Sequence, residues 1–227
     1  MGRVENGRTT EDAGPRHPSW LARVRAKTRE SRGAAALEAA IVTPVFFILI
    51  MGIVEIGLAM NDYLALSSAV RAGSRTASAS GDDLDADYNT VQRILRESTA
   101  LDEGDIQAIV IYKAPGFGEG PFTDPTDPDL SCTIRSVDDV CNYYTAADWN
   151  RPKEQWGCQE STGGGASPDI SWCPTDRKVS LSGAGSDYVG VWMKVEHRWV
   201  TKMFGNVVTL TDQSVIRLEP RVVNDAD

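Results

Sequence analysis

The sequence has few of the residues from which common catalytic centres are built. Among its 227 residues there are only two histidines, and neither belongs to an HExxH zinc-protease motif. No glycine-rich phosphate-binding loop is present, and one histidine near the end of a predicted strand, His197, has no serine or cysteine constellation around it. These absences predict a protein that is not an enzyme and that uses no cofactor.

Cysteine is scarce as well. The four cysteines are Cys132, Cys141, Cys158 and Cys173, and no two of them form a Cys-x-x-Cys pair. This spacing does not suit zinc, so no metal site is predicted. If the segment that holds them is exported, their even number predicts two disulfides, and sequence leaves all three pairings open.

Positive charge is scarce beyond residue 60. Residues 61–227 carry 15 basic and 26 acidic side chains, whereas residues 1–33 carry eight basic and four acidic ones. Such an acidic domain argues against binding to nucleic acid or to anionic lipid headgroups. Because basic segments remain on the cytoplasmic side of a membrane, the asymmetry predicts a cytoplasmic basic leader, 1–33, and an extracytoplasmic domain, 61–227.

The sequence does contain one long apolar run. Residues 39–54 carry no charge, and the wider stretch 34–60 exceeds the roughly 20 residues that span a bilayer as a helix. Glu38 and Glu55 are 17 residues apart, about 26 Å at helical rise, so each falls near one edge of a hydrocarbon core about 30 Å thick. We expect water to solvate Glu55 at the outer edge. A cleaved secretory signal is the alternative, although its apolar region is shorter, about 7 to 15 residues.

The cytoplasmic edge of this run carries a more specific pattern. Arg32-Gly33, three alanines, a leucine and Glu38 resemble a type IV prepilin processing site. Pro44, the run GIVEIG at 52–57 and the run AVRAGSR at 69–75 extend the match. With these additions the segment resembles the TadE-like family of the tight-adherence (Flp) pilus system.

The resemblance implies how the N-terminus is processed. A membrane aspartyl peptidase, the prepilin peptidase, would cut after Gly33 and make Ala34 the new N-terminus. Glycine suits this position because it adopts the extended backbone that a peptidase cleft requires. Glu38 would serve peptidase recognition and then assembly, pairing with the Ala34 ammonium of its own or a neighbouring subunit.

Periodicity beyond the membrane predicts an α+β fold. A long N-terminal transmembrane helix continues to about Ser80 and leads into a pilin-like domain with a second short helix at 87–99 and a small antiparallel sheet. Strands are expected at 106–112, 188–199 and 214–219. The interval 115–187 lacks periodicity and holds all the cysteines, so either disulfides staple this loop insertion or it is partly disordered.

Two functions are compatible with these features. The first, implied by the resemblance, is a minor pilin or pseudopilin acting in Flp (Tad) pilus assembly and adhesion. Its partners would be membrane lipid, the prepilin peptidase, other Tad pilus subunits and the assembly platform proteins. The second is a single-pass, membrane-anchored extracytoplasmic binding or sensing module. Both place the chain in the cytoplasmic membrane with its N-terminus inside and its C-terminal domain outside, and the first adds the cell surface after processing.

Overall fold

A computed structural model describes residues 20–118, 140–159, 166–180 and 185–220, with side chains from residue 33 onward. The helices are α1 (Trp20–Ser80), α2 (Ala86–Glu97) and the single-turn α3 (Ala146–Trp149). The strands are β1 (Ile106–Ala114), β2 (Cys141–Tyr144), β3 (Tyr188–Arg198) and β4 (Val207–Arg217). A long apolar first helix, a short second helix and a small antiparallel sheet confirm the predicted α+β fold class.

The sheet has the strand order β2-β1-β3-β4, and every neighbouring pair is antiparallel. Alternation along β3 brings Val189, Val191, Met193 and Val195 to one face, where all four are completely buried. Successive strand side chains point to opposite faces, so the buried face of β3 follows from the period-2 alternation of its sequence.

The main core lies between this face of the sheet, α2 and residues 66–77 of α1. Leu66, Val70 and Ala77 of α1 are completely buried there, together with Ile94 of α2. A Cβ atom at Gly73 would lie 2.5 Å from Ile94 Cγ1. Gly73 therefore allows α1 and α2 to approach more closely than any residue with a side chain would permit.

The two ends of α1 follow from local chemistry. Gly81 adopts a left-handed conformation with φ of 59°, and its N–H donates to Ala77 O at 3.1 Å, which ends the helix at the predicted stop. The other end differs from the expectation, because α1 begins at Trp20 rather than near Ala34. Residues 20–32 contain no proline or glycine and include four arginines, two alanines, one leucine and one lysine, all of which favour helix.

The interval 115–187 contains folded structure where it is described. β2 pairs with β1 inside this interval, and Trp149, Trp156 and Trp172 are buried in the main core. Sequence periodicity is absent because aromatic side chains at irregular spacing attach this segment to the domain. Its four-residue strand is too short to establish an alternating pattern.

Asp87 of α2 forms buried polar contacts with three residues of the interval 115–187. Its Oδ1 accepts a hydrogen bond from Arg177 Nη2 at 2.6 Å, and both side chains are completely buried. Its Oδ2 accepts from Asn142 Nδ2 at 2.8 Å and from Tyr144 OH at 2.6 Å. Burial, and then the charge of Asp87, raise the pKa of Tyr144 well above its ordinary value, so Tyr144 stays a neutral donor.

One disulfide joins Cys158 to Cys173. Asp169 supports the turn beside it by accepting hydrogen bonds from the backbone N–H groups of Gly157, at 2.9 Å, and Cys158, at 3.1 Å. Cys141 is disulfide-bonded as well, and Cys132 lies outside the described residues. The structure thus contains a bridge where sequence left the pairing open, and a second intramolecular bridge stays a prediction.

Candidate functional site

The part of α1 that carries the expected processing site is exposed along its whole length. Every residue from 33 to 51 is exposed, and Gly33 lies within helix rather than in an extended segment. A Cβ atom at Gly33 would meet nothing within 4 Å. Ala34 and Glu38 are exposed helical residues too, and Glu38 has no hydrogen-bond or ion-pair partner among the residues that the structure describes. The three residues therefore lie within two turns of one another and are open to contact.

This part of α1 is also apolar. From Gly33 to Ser80 the helix is long and apolar enough to cross a membrane, and only 6% of its most apolar window is buried. Large side chains such as Phe46, Phe47 and Leu49 are exposed. Exposed apolar surface of this extent indicates contact with lipid or with other proteins.

Thr43 is the only polar side chain of the uncharged run 39–54, and its hydroxyl is bonded within its own helix. Pro44 lies inside the helix and has no N–H to donate to the carbonyl of the preceding turn. Immediately before it, Thr43 Oγ1 donates to Ala39 O at 2.6 Å. A hydroxyl that is hydrogen-bonded to its own helix can lie in apolar surroundings.

From Gly52 onward, α1 is joined to the β3–β4 hairpin by a line of polar contacts, which we call the helix–hairpin seam. Ser74 Oγ donates to Ser214 Oγ at 2.9 Å, and Ser78 Oγ donates to Arg217 O at 2.7 Å. The α1 residues that contribute polar contacts to the seam are Glu55, Asp62, Ser74 and Ser78. Small hydroxyl side chains keep the helix close to the strands while satisfying backbone and side-chain acceptors.

Glu55 begins the seam and is only 1% exposed. Its Oε2 accepts a hydrogen bond from Val200 N at 3.1 Å, and its Oε1 accepts one from Thr201 N. Two successive backbone N–H groups form a small anion-binding concavity. The expectation that water solvates Glu55 is therefore wrong, because the turn between β3 and β4 takes the place of water. A buried carboxylate is tolerated when donors of this kind satisfy it.

Asp62, two turns further along α1, contacts His197. The Nδ1 atom of His197 lies 2.6 Å from Asp62 Oδ2, and the imidazole is 5% exposed. The ring also meets Trp199 edge-on at a centroid distance of 4.9 Å. The sequence places His197 near the end of a strand without a catalytic partner, and the structure shows that it joins β3 to α1 through Asp62. Its shared parity with Val195, and the seven-residue spacing from Glu55 to Asp62, would have indicated facing positions on the strand and the helix.

The disulfide and the expected processing residues lie in separate compact units of the chain. Cys158 and Cys173 lie in the cysteine-bearing segment of the sheet domain, whereas Gly33, Ala34 and Glu38 lie in the exposed part of α1. Among the described residues, no group of three or more His, Cys, Asp or Glu side chains is arranged to hold a metal ion.

These features define a class of protein: an α+β domain built on the continuation of one apolar helix that is able to cross a membrane. The family model described as TadE-like protein matches residues 33–75, and this confirms the resemblance inferred from the sequence. The match begins at Gly33, the expected processing residue, and ends at Arg75 within α1. It does not include the strands of the sheet. No curated protein and no solved structure is significantly similar to the chain.

Proposed function

We propose that the protein is a minor pilin or pseudopilin of a Flp (Tad) type pilus that acts in pilus assembly and adhesion. The observation that carries this proposal is that the TadE-like match starts where the exposed apolar part of α1 starts, at Gly33. An apolar helix that its own domain leaves uncovered is available to lipid before assembly and to neighbouring subunits afterwards. The proposed partners are membrane lipid, a prepilin peptidase, other Tad pilus subunits and the assembly platform proteins.

The proposed topology has a cytoplasmic leader, 1–33, a transmembrane segment, 34–60, and an extracytoplasmic domain, 61–227, with the cysteine-bearing insertion 115–187. The excess of basic residues in the leader supports this orientation. The Cys158–Cys173 disulfide supports export of the domain, because disulfides persist in oxidising compartments.

Processing after Gly33 is supported by the weakness of the helix at this residue. A peptidase needs an extended backbone, and Gly33 is helical, so the helix must open locally before cleavage. Glycine within a helix is less stable than alanine by roughly 0.5–1 kcal/mol, which makes opening easier here than at its alanine neighbours. Cleavage would leave Glu38 close to the new N-terminus, where the helix dipole and the Ala34 ammonium both favour a carboxylate.

N-terminal sequencing and intact-mass analysis of the protein from its native host test the proposal. We expect the mature chain to begin at Ala34, and Gly33→Val to block processing because a β-branched side chain crowds the cut and stiffens the backbone. Gly57→Val is the matched control, since a Cβ atom there also meets nothing within 4 Å on the same helix. A mature protein that retains residues 1–33 would refute the pilin function and favour the membrane-anchored binding or sensing module.

A further inference from the structure

The turn between β3 and β4 exposes large apolar side chains where a solvent-facing turn is normally polar. We call residues 199–207 the hairpin tip. Lys202, with φ of 60°, and Gly205, with φ of 107°, provide its left-handed turn conformations. The exposed fractions of its large apolar side chains are 71% for Val200, 46% for Met203, 51% for Phe204 and 43% for Val207. A cluster of this kind at one end of a hairpin indicates a surface that something else covers.

The hairpin tip is fixed beside the outer end of the apolar run. Glu55 accepts hydrogen bonds from two backbone N–H groups of the tip, those of Val200 and Thr201. A Cβ atom at Gly52 would lie 3.8 Å from Phe204 Cζ, and Gly52 belongs to the uncharged run 39–54. The tip therefore stands at the same level of α1 as residues of the proposed transmembrane segment, where Ile53 is itself exposed.

We propose that the hairpin tip inserts into the outer leaflet of the bilayer, so that lipid covers its apolar side chains; this rests on the proposed transmembrane role of α1. The tip carries no acidic residue, although residues 61–227 contain 26 of them. Trp199 packs against Phe204 at a centroid distance of 5.3 Å, and tryptophan is the side chain that favours the membrane–water interface. Exposed Lys202 is long enough to place its ammonium among the headgroups while its stem lies in the apolar layer.

Insertion also explains how Glu55 is accommodated. A carboxylate at the edge of the hydrocarbon layer is costly when it has no partner. The tip delivers two backbone donors to Glu55 and at the same time replaces water around it with apolar side chains. The sheet domain would thus meet the membrane through two elements, α1 and the hairpin tip. Two contacts would prevent the domain from rotating about the axis of α1, which a single helix would allow.

Depth-dependent quenching in phosphatidylcholine vesicles tests the proposal with the full chain. An environment-sensitive fluorophore is attached to Met203→Cys, with Leu84→Cys as the matched control, because Leu84 is a 49% exposed apolar residue elsewhere in the domain. Ile48→Cys, exposed in the apolar run, reports on α1 itself. The described cysteines are disulfide-bonded, so the label goes to the introduced thiol, and the unsubstituted chain gives the background. Val207→Cys provides a second position in the tip should Met203→Cys fail to fold.

We expect the label at Met203 to shift to the blue and to be quenched most strongly by nitroxides near the headgroups, with a loss of at least half its emission. The label at Leu84 should stay unquenched, and that at Ile48 should respond to nitroxides deep in the acyl chains. A high lipid-to-protein ratio, about one chain per vesicle, keeps copies apart.

If Ile48 is quenched and Met203 behaves like Leu84, the tip does not insert and the proposed transmembrane role of α1 is unaffected. If Met203 is blue-shifted but unquenched, protein rather than lipid covers the tip and the inference is overturned. If neither Ile48 nor Met203 is quenched, membrane anchoring fails with it.

Discussion

Residues 33–51 and residues 52–80 belong to one helix and differ in what surrounds them. The first part is exposed at every position and contains large apolar side chains such as Phe46 and Phe47. The second part buries one face against the sheet and is rich in Ala, Ser and Gly. Large side chains offer area to lipid or to another subunit, whereas small ones let strands and α2 approach the backbone. The two parts differ both in their large apolar side chains, which the first part exposes, and in the serines and charged residues that the second part carries.

The two glutamates of the apolar stretch show the same division. Glu38 is exposed and has no partner among the described residues, while Glu55 is buried and accepts two backbone hydrogen bonds. A carboxylate of the first kind is available for a contact outside its own chain, and one of the second kind is already used within it. Substitutions in the second part and in the sheet domain should therefore affect stability, and those in the first part should affect processing and assembly.

The largest loss of stability is expected from Asp87→Asn. The substitution leaves Arg177 charged and completely buried without its partner, and breaking such a pair costs about 3–5 kcal/mol. Chemical unfolding of the detergent-solubilised chain, followed by tryptophan fluorescence, measures this. Glu97→Gln, which removes an exposed pair with Arg93, is the control and should cost about 0–1 kcal/mol. Phe46→Ala, in the first part of α1, should leave the transition unchanged, and an equal loss from Phe46→Ala would contradict the division.

Removal of the disulfide by Cys158→Ser with Cys173→Ser should follow in size. Opening a loop of 15 residues costs about 3 kcal/mol in the chain-entropy model. Thiol labelling before and after reduction accompanies the unfolding measurement, because we predict that all four cysteines form two intramolecular bridges. Reductant should lower the stability of the unsubstituted chain more than that of the double variant. Four reactive thiols in the unreduced exported protein would rule out the second bridge.

Gly73→Ala should cost about 1–3 kcal/mol, because its methyl group would overlap Ile94 in a filled core. The matched change is Gly57→Ala, where a Cβ atom meets nothing within 4 Å and alanine raises helix propensity by roughly 1 kcal/mol. Thermal unfolding followed by circular dichroism should move in opposite directions for the two variants. A stabilising Gly73→Ala would mean that α1 and α2 are not closely packed there.

The smallest effects on stability are expected at the two glutamates. Glu55→Gln should lower stability by less than Gly73→Ala, because the amide oxygen still accepts from one of the two N–H groups and only the other N–H group loses its acceptor. Glu38→Gln should leave stability and membrane insertion unchanged. It should nevertheless reduce the protein in sheared surface fractions, since the ammonium created by cleavage would lose its partner in a low-dielectric place. Near-native pilus output from both variants would show that Glu38 is only an interfacial carboxylate.

Sequence predicted the elements whose burial is one-sided. The alternation of β3 arises because one face of the strand is buried, and the strand expected at 188–199 is observed at Tyr188–Arg198. β4 begins at Val207 instead of Ser214; it is an edge strand, and its burial does not alternate from Leu210 to Asp212, where every residue is half-buried. The processing residues came from family resemblance rather than from periodicity. The partners of Glu55 were missed because bonds to backbone N–H groups 145 residues away in sequence leave no trace in side-chain pattern.

The helix–hairpin seam has a consequence for the order in which the protein is made. Ser78, near the end of the first helix, binds Arg217 through its hydroxyl, and its carbonyl accepts a hydrogen bond from Glu219 N at 3.1 Å. Because α1 precedes β4 in the sequence, the ribosome completes α1 long before it makes the strand that covers it. Contacts of this sequence separation form late and slowly. Until residue 219 has been made, the face of α1 that β4 covers is incomplete, so a chain truncated before β4 would keep its long apolar helix without a finished domain.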